Sequence, residues 1–99
     1  MRYACKATDE RTYLEAVFDK LGFSKQDGHL LADTLVDADL RGISSHGIQR
    51  LAWYRRMIKD GTIVPTKQPK VLRELPGTVL VDANQNMGQI EAHLAMNKV

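Results

Sequence analysis

The segment Ser44-Ser45-His46-Gly47-Ile48-Gln49-Arg50 holds the residue types from which a small proton-transfer site could be built. Imidazole exchanges a proton near neutral pH, so a histidine can donate to a developing alkoxide as hydride reaches a carbonyl, and can take the hydroxyl proton in the reverse direction. A guanidinium can hold a carboxylate bidentately, which a lysine cannot reproduce. The spacing predicts that Ser45 caps a helix, that His46 takes the first helical position and that Arg50 lies on the same face one turn later. Free N–H groups and the positive end of the helix dipole would favour a bound carboxylate there and disfavour a charged imidazole. His46 is thus the candidate acid/base and Arg50 the candidate carboxylate grip. Spacing alone leaves a second reading open, a capped helix start with a solvated histidine.

Other chemically capable residues are weaker candidates. Asp39 and Arg41 read as a surface ion pair, which contributes little energetically. His29 and His93 have no partner at metal-ligand spacing and read as solvated or hydrogen-bonded structural residues. Trp53 could wall a pocket, although an aromatic at that spacing is more often interface or core. The stretch from Asp82 to Gly88 could let a phosphate approach, but without a G-x-G-x-x-G pattern a strand-to-helix turn is the simpler reading.

The elements that must position these residues can be read from periodicity. Leu14, Val17, Phe18 and Leu21 predict a first helix over about 9–21, capped by Thr8 or Asp9 and ended by Gly22. Ser24 and Asp27 resemble a capping box, and Leu31, Leu35 and Ala38 continue a second helix over about 25–40, which Gly42 breaks. Ser44 or Ser45 caps a third helix whose buried face is Ile48, Leu51, Tyr54 and Ile58, ending before Gly61. Three helices joined by short links should pack on one another. Beyond Gly61, Pro65, Pro69 and Pro76 mark a boundary. Lys70 to Leu75 and Thr78 to Asp82 then form a strand pair around the Pro76-Gly77 turn. After the turn-forming Asn84-Gln85-Asn86, Ile90, Leu94 and Ala95 give a helix still running at Val99, a pattern that predicts a piece of a longer protein.

With 43% hydrophobic and 26% charged residues, the 99-residue chain has the balance of a globular domain. No apolar run approaches a membrane span and no signal peptide is visible, so the cytoplasm is the expected compartment. The single cysteine, Cys5, cannot make an intrachain disulfide, and no Cys/His cluster has zinc spacing, so no metal is expected. Fourteen basic and twelve acidic residues are interspersed for a net charge of +2, which gives nucleic-acid or membrane binding no support.

The string Asp39-x-Arg41-Gly42-x-x-Ser45-His46-Gly47-x-x-Arg50-Leu51-x-x-Tyr54, with Gly61-x-Ile63-x-Pro65 after it, resembles the signature of the malate/L-lactate dehydrogenase family. Val81-Asp82-Ala83-x-x-x-x-Gly88 and Ala92-x-x-Ala95-Met96 fit the same order, so the resemblance spans nearly all of the chain. It implies a mainly α, three-helix N-terminal domain over 1–65, then the first strands and helix of a non-Rossmann α/β nucleotide-binding domain over 66–99. It also implies an NAD- or NADP-dependent oxidoreductase acting on a small 2-hydroxy or 2-oxo acid, working as a homodimer. By position, His46 matches the family's acid/base, and Ser45 and Arg50 match substrate-pocket positions. No residue here is assigned to the cofactor. The remaining catalytic groups would lie beyond Val99, so the isolated chain should be inactive.

Two other classes compete on sequence grounds. One is a helix-turn-helix reader offering Gln49, Arg50, Arg55, Arg56 and Lys59 on its third helix, although a dedicated reader usually presents a clearer basic face. The other is a dimerisation domain anchored by Trp53 and Tyr54.

Overall fold

A computed structural model describes residues 4–99. Helix α1 covers Ala7–Lys20 and α2 covers Lys25–Leu40; two 3-10 turns, Ser44–His46 and Ile48–Arg50, lead into α3, Leu51–Lys59. Strands β1 (Lys70–Leu75) and β2 (Thr78–Asp82) precede α4, Gly88–Lys98. The expected order, a helical region and then a strand pair and a helix, is therefore found.

Helix α1 begins earlier than its expected cap. Lys6 occupies the N-cap without a side-chain hydrogen bond, so Thr8 and Asp9 lie inside the first turn, where Asp9 and Glu10 complement the helix dipole. At the other end, Gly22 N–H donates to Asp19 O at 3.1 Å and Phe23 N–H to Phe18 O at 3.1 Å. This Schellman closure needs a left-handed residue at Gly22, whose φ is +104°, and it carries the usual apolar clasp. The Phe18 and Phe23 rings meet edge to face with centroids 5.7 Å apart.

The chain turns directly into α2, where Ser24 Oγ accepts the Asp27 N–H at 3.1 Å. The box is only half closed, because the Asp27 carboxylate accepts from Gln68 Nε2 at 3.3 Å instead of returning to the Ser24 backbone. Ser24→Ala should lower stability by about 1 kcal/mol. A urea titration with an unchanged midpoint would show that this cap contributes nothing.

Leu14 and Phe18 of α1 and Leu31, Ala32, Leu35 and Val36 of α2 are almost completely removed from solvent. Gly28 lets the two backbones come close: a Cβ there would stand 3.4 Å from Phe18 Cβ. Phe23, Ile63, Met87 and Ile90 complete the same buried cluster. Ile48, Leu51, Tyr54 and Ile58, the face expected to be buried, are half-buried and pack against it.

The hairpin β1–β2 is antiparallel, with Leu75 opposite Thr78 and Lys70 opposite Asp82, and its register shifts between Val71 and Arg73. The polar loop after β2 staples the preceding segment in place. Asn84 Nδ2 donates to Gln68 O at 3.0 Å, Asn86 Nδ2 to Lys67 O at 2.6 Å, and Val64 N–H to Gln85 O at 2.8 Å. The asparagines thus satisfy backbone carbonyls beside the core, and the loop is a structural strand-to-helix turn.

Candidate active site

Helix α2 ends in a second Schellman closure, with Gly42 N–H on Asp39 O and Ile43 N–H on Ala38 O. Gly42 has a φ of +78°, and this left-handed step reverses the chain into the Ser44–Arg50 segment. That segment is not the helix start its sequence predicts. Ser45 does not cap α3: Ser44–His46 forms one 3-10 turn, Gly47 interrupts it, and α3 starts only at Leu51 with Arg50 at its N-cap. His46 therefore does not stand on the first turn of an α-helix, and neither the helical spacing nor the dipole expected to join it to Arg50 applies.

His46 and Arg50 are brought together by another route, through Ser45. The Ser45 hydroxyl is hydrogen-bonded to His46 Nδ1 at 2.9 Å, and Arg50 Nε donates to the Ser45 backbone carbonyl at 2.8 Å. A hydroxyl can accept from Nδ1–H in both the charged ring and the neutral tautomer that has lost its Nε2 proton. Nε2 is then the nitrogen that exchanges a proton with an outside group. The Arg50 guanidinium also lies over Trp53, 5.8 Å from the ring centroid. Among the described residues no carboxylate pairs with Arg50. The turn thus presents an imidazole and a guanidinium on one short segment, with His46 exposed and Arg50 half-buried.

Asp39 and Arg41 are not the ion pair expected from their proximity. Arg41 Nε pairs with Asp37 at 3.0 Å, whereas Asp39 Oδ2 accepts the Ile48 N–H at 2.9 Å. This bond from Asp39 to the backbone of the Ser44–Arg50 segment is what sequence reasoning misses. A signal is present: α2 has no basic residue in its last turn, so an acid there works against the helix dipole and needs a local partner. The other candidates stay structural: His29 Nδ1 lies 2.7 Å from Glu15 Oε1, and His93 Nε2 lies 3.2 Å from Asn97 Nδ2. Trp53 is 61% exposed and stacks on Arg50, and Tyr54 is half-buried.

Glu10 of α1 faces Asp39. Its carboxyl is pushed above the usual glutamate range, chiefly by burial and further by hydrogen bonding to and repulsion from Asp39. Folding therefore favours protonated Glu10. That contribution is complete below the ordinary glutamate pKa and is lost as pH rises through the raised one. Thermal melts of wild type should fall across this interval and those of Glu10→Gln should not; parallel profiles would refute the coupling.

The malate/L-lactate dehydrogenase family model matches residues 5–99. The chain belongs to the malate/L-lactate dehydrogenase family. It is 36% identical over 91 residues to the L-sulfolactate dehydrogenase of Methanocaldococcus jannaschii, covering 92% of this chain and 26% of that protein. It is 40% identical over 85 residues to the malate dehydrogenase of Pyrococcus abyssi, covering 86% and 24% respectively. The crystal structure of malate dehydrogenase from Entamoeba histolytica superposes with a TM-score of 0.92 at 32% identity, over 98% of this chain and 27% of the other. The chain spans about a quarter of the length of these relatives. Membership in this dehydrogenase family displaces the helix-turn-helix reading, and the segment carrying Ser45, His46 and Arg50 lies inside the matched region.

Proposed function

We propose that this chain forms the N-terminal part of a dehydrogenase that transfers hydride between NAD or NADP and a small 2-hydroxy or 2-oxo acid. The observation that supports it best is the double tether on Ser45, which leaves His46 Nε2 and the Arg50 Nη groups open to one small ligand. In this reading Arg50 holds the substrate carboxylate and Ser45 sets the orientation of the imidazole. His46 Nε2 gives its proton to the carbonyl oxygen of the oxo acid and recovers it from the hydroxyl in the reverse direction. A bound nicotinamide supplies or accepts the hydride. The donor set fits the substrate end of such a centre, since a cationic grip beside a proton donor suits a carboxylate next to a carbonyl. No residue of this chain is assigned to the cofactor.

The relatives' names, malate and sulfolactate dehydrogenase, support a 2-hydroxy acid with a second anionic group as substrate. A relative from Chromohalobacter salexigens, 30% identical over 80 residues, carries NADP in its name. Among the described residues no helix is long and apolar enough to cross a membrane. The cytoplasm is the proposed compartment and a homodimer the proposed assembly. The test is a protein of family length carrying these 99 residues, assayed with oxaloacetate, pyruvate and 3-sulfopyruvate against NADH and NADPH. Oxidation of either cofactor that depends on the oxo acid supports the reading; no oxidation with any pair overturns it.

A further inference from the structure

The joint between the two 3-10 turns is built around one carboxylate from another element. Gly47 is buried, and a Cβ added to it would collide with all three terminal atoms of the Asp39 side chain. The carboxylate thus occupies the space where a Gly47 side chain would begin, while its Oδ2 accepts the Ile48 N–H at 2.9 Å. Gly47 also ties the turns to each other, its N–H donating to Ser44 O and its carbonyl accepting from Arg50 N–H. A group fixed at this one point constrains the backbone of His46 on one side and Arg50 on the other.

We propose that Asp39 is the positioning residue of the site: held at the end of α2, its carboxylate clamps Gly47 and Ile48 and so sets where His46 and Arg50 point. The proposal rests on the reading of His46 and Arg50 as the reacting pair. The clamp requires an acceptor oxygen that no cation takes up. Arg41 is engaged by Asp37, so no described cation competes for Asp39, and Glu10 is the titratable group set against it from α1. Glycine at position 47 is a steric necessity, because the space of its missing side chain is filled by the carboxylate.

The test has two arms, chosen to separate the clamp from the activity. In NMR of the 99-residue chain, Asp39→Ala should make the Ile48 amide exchange about 10- to 100-fold faster, as expected for loss of a hydrogen bond to a charged acceptor. The same variant should shift the His46 ring resonances while leaving those of Phe18 and Leu35 in place. Asp39→Asn, which keeps an acceptor oxygen, should restore most of the Ile48 protection. It also serves if the alanine variant fails to fold. Unchanged Ile48 exchange and His46 resonances in Asp39→Ala would overturn the proposal, as would an asparagine variant no better protected than alanine. In the family-length protein, Asp39→Ala should lower kcat/KM about 100-fold, with both kcat and KM affected because acid and carboxylate grip move together. A loss of activity accounted for by a smaller folded fraction, with kcat and KM per folded molecule unchanged, would reduce Asp39 to a structural residue and overturn the proposal. If wild type shows no turnover, the dehydrogenase reading fails and the resonances still decide the clamp.

Discussion

Replacing His46 by alanine in a protein of family length should lower kcat by about 100- to 10,000-fold, the usual contribution of a positioned acid/base. The expected pattern is more specific than the loss itself. His46 is held through Nδ1 by Ser45, and Arg50 is held separately through Nε by the Ser45 carbonyl. Removing the imidazole therefore leaves the carboxylate grip on its own tether, and KM should change little. Arg50→Lys should do the reverse. A lysine lacks the planar fork and cannot make the Nε bond and the paired Nη contacts together, so KM should rise more than kcat falls. Steady-state kinetics of the two variants check this, and near-full kcat in His46→Ala would remove the histidine from the chemistry.

Much of the architecture is legible in the sequence because its determinants are local. Gly22, Gly42 and Gly61 mark helix ends in the sequence, and each is the glycine of a Schellman closure in the structure. The Pro76-Gly77 turn and the two β-prone runs give the hairpin with its ends where expected. The candidate site is legible in its residues but not in its geometry. Ser-Ser-His-Gly looks like a capped helix start because serine caps helices in isolation, but here an acid nine residues upstream, Asp39, captures the Ile48 N–H. The same carboxylate fills the space beside Gly47. No window confined to Ser44–Arg50 contains that information, since the competing acceptor belongs to α2. His46 accordingly meets Arg50 through a shared serine and not on a shared helix face. Similarly, Asn84 and Asn86 read as turn formers, while the carbonyls they satisfy lie at Gln68 and Lys67, across the strand pair.

The largest stability effect should come from Phe18→Ala. Its ring is fully buried, meets Phe23 edge to face, and lies where Gly28 brings α2 close to α1. Deleting it removes apolar contacts and leaves a cavity that Leu14 and Leu31, themselves fully buried, cannot close without moving a helix. The expected cost is about 3–5 kcal/mol, against a total of about 5–15 kcal/mol for a typical domain. Tyr13, on the same helix but 57% exposed, supplies the control: Tyr13→Ala should change stability by less than about 0.5 kcal/mol. Urea titrations of the two variants decide between a core concentrated at the α1–α2 contact and stability spread evenly along α1, which equal losses would indicate. The contrast also bears on the site. Asp39 stands at the last turn of α2, facing Glu10 at the start of α1, whereas Phe18 packs near Gly28 in the first turn of α2, so loosening the core there should leave the clamp no weaker than the rest of α2. In both Phe18→Ala and Tyr13→Ala the Ile48 amide and the amides of α2 should therefore lose protection in the wild-type order, at lower urea in Phe18→Ala.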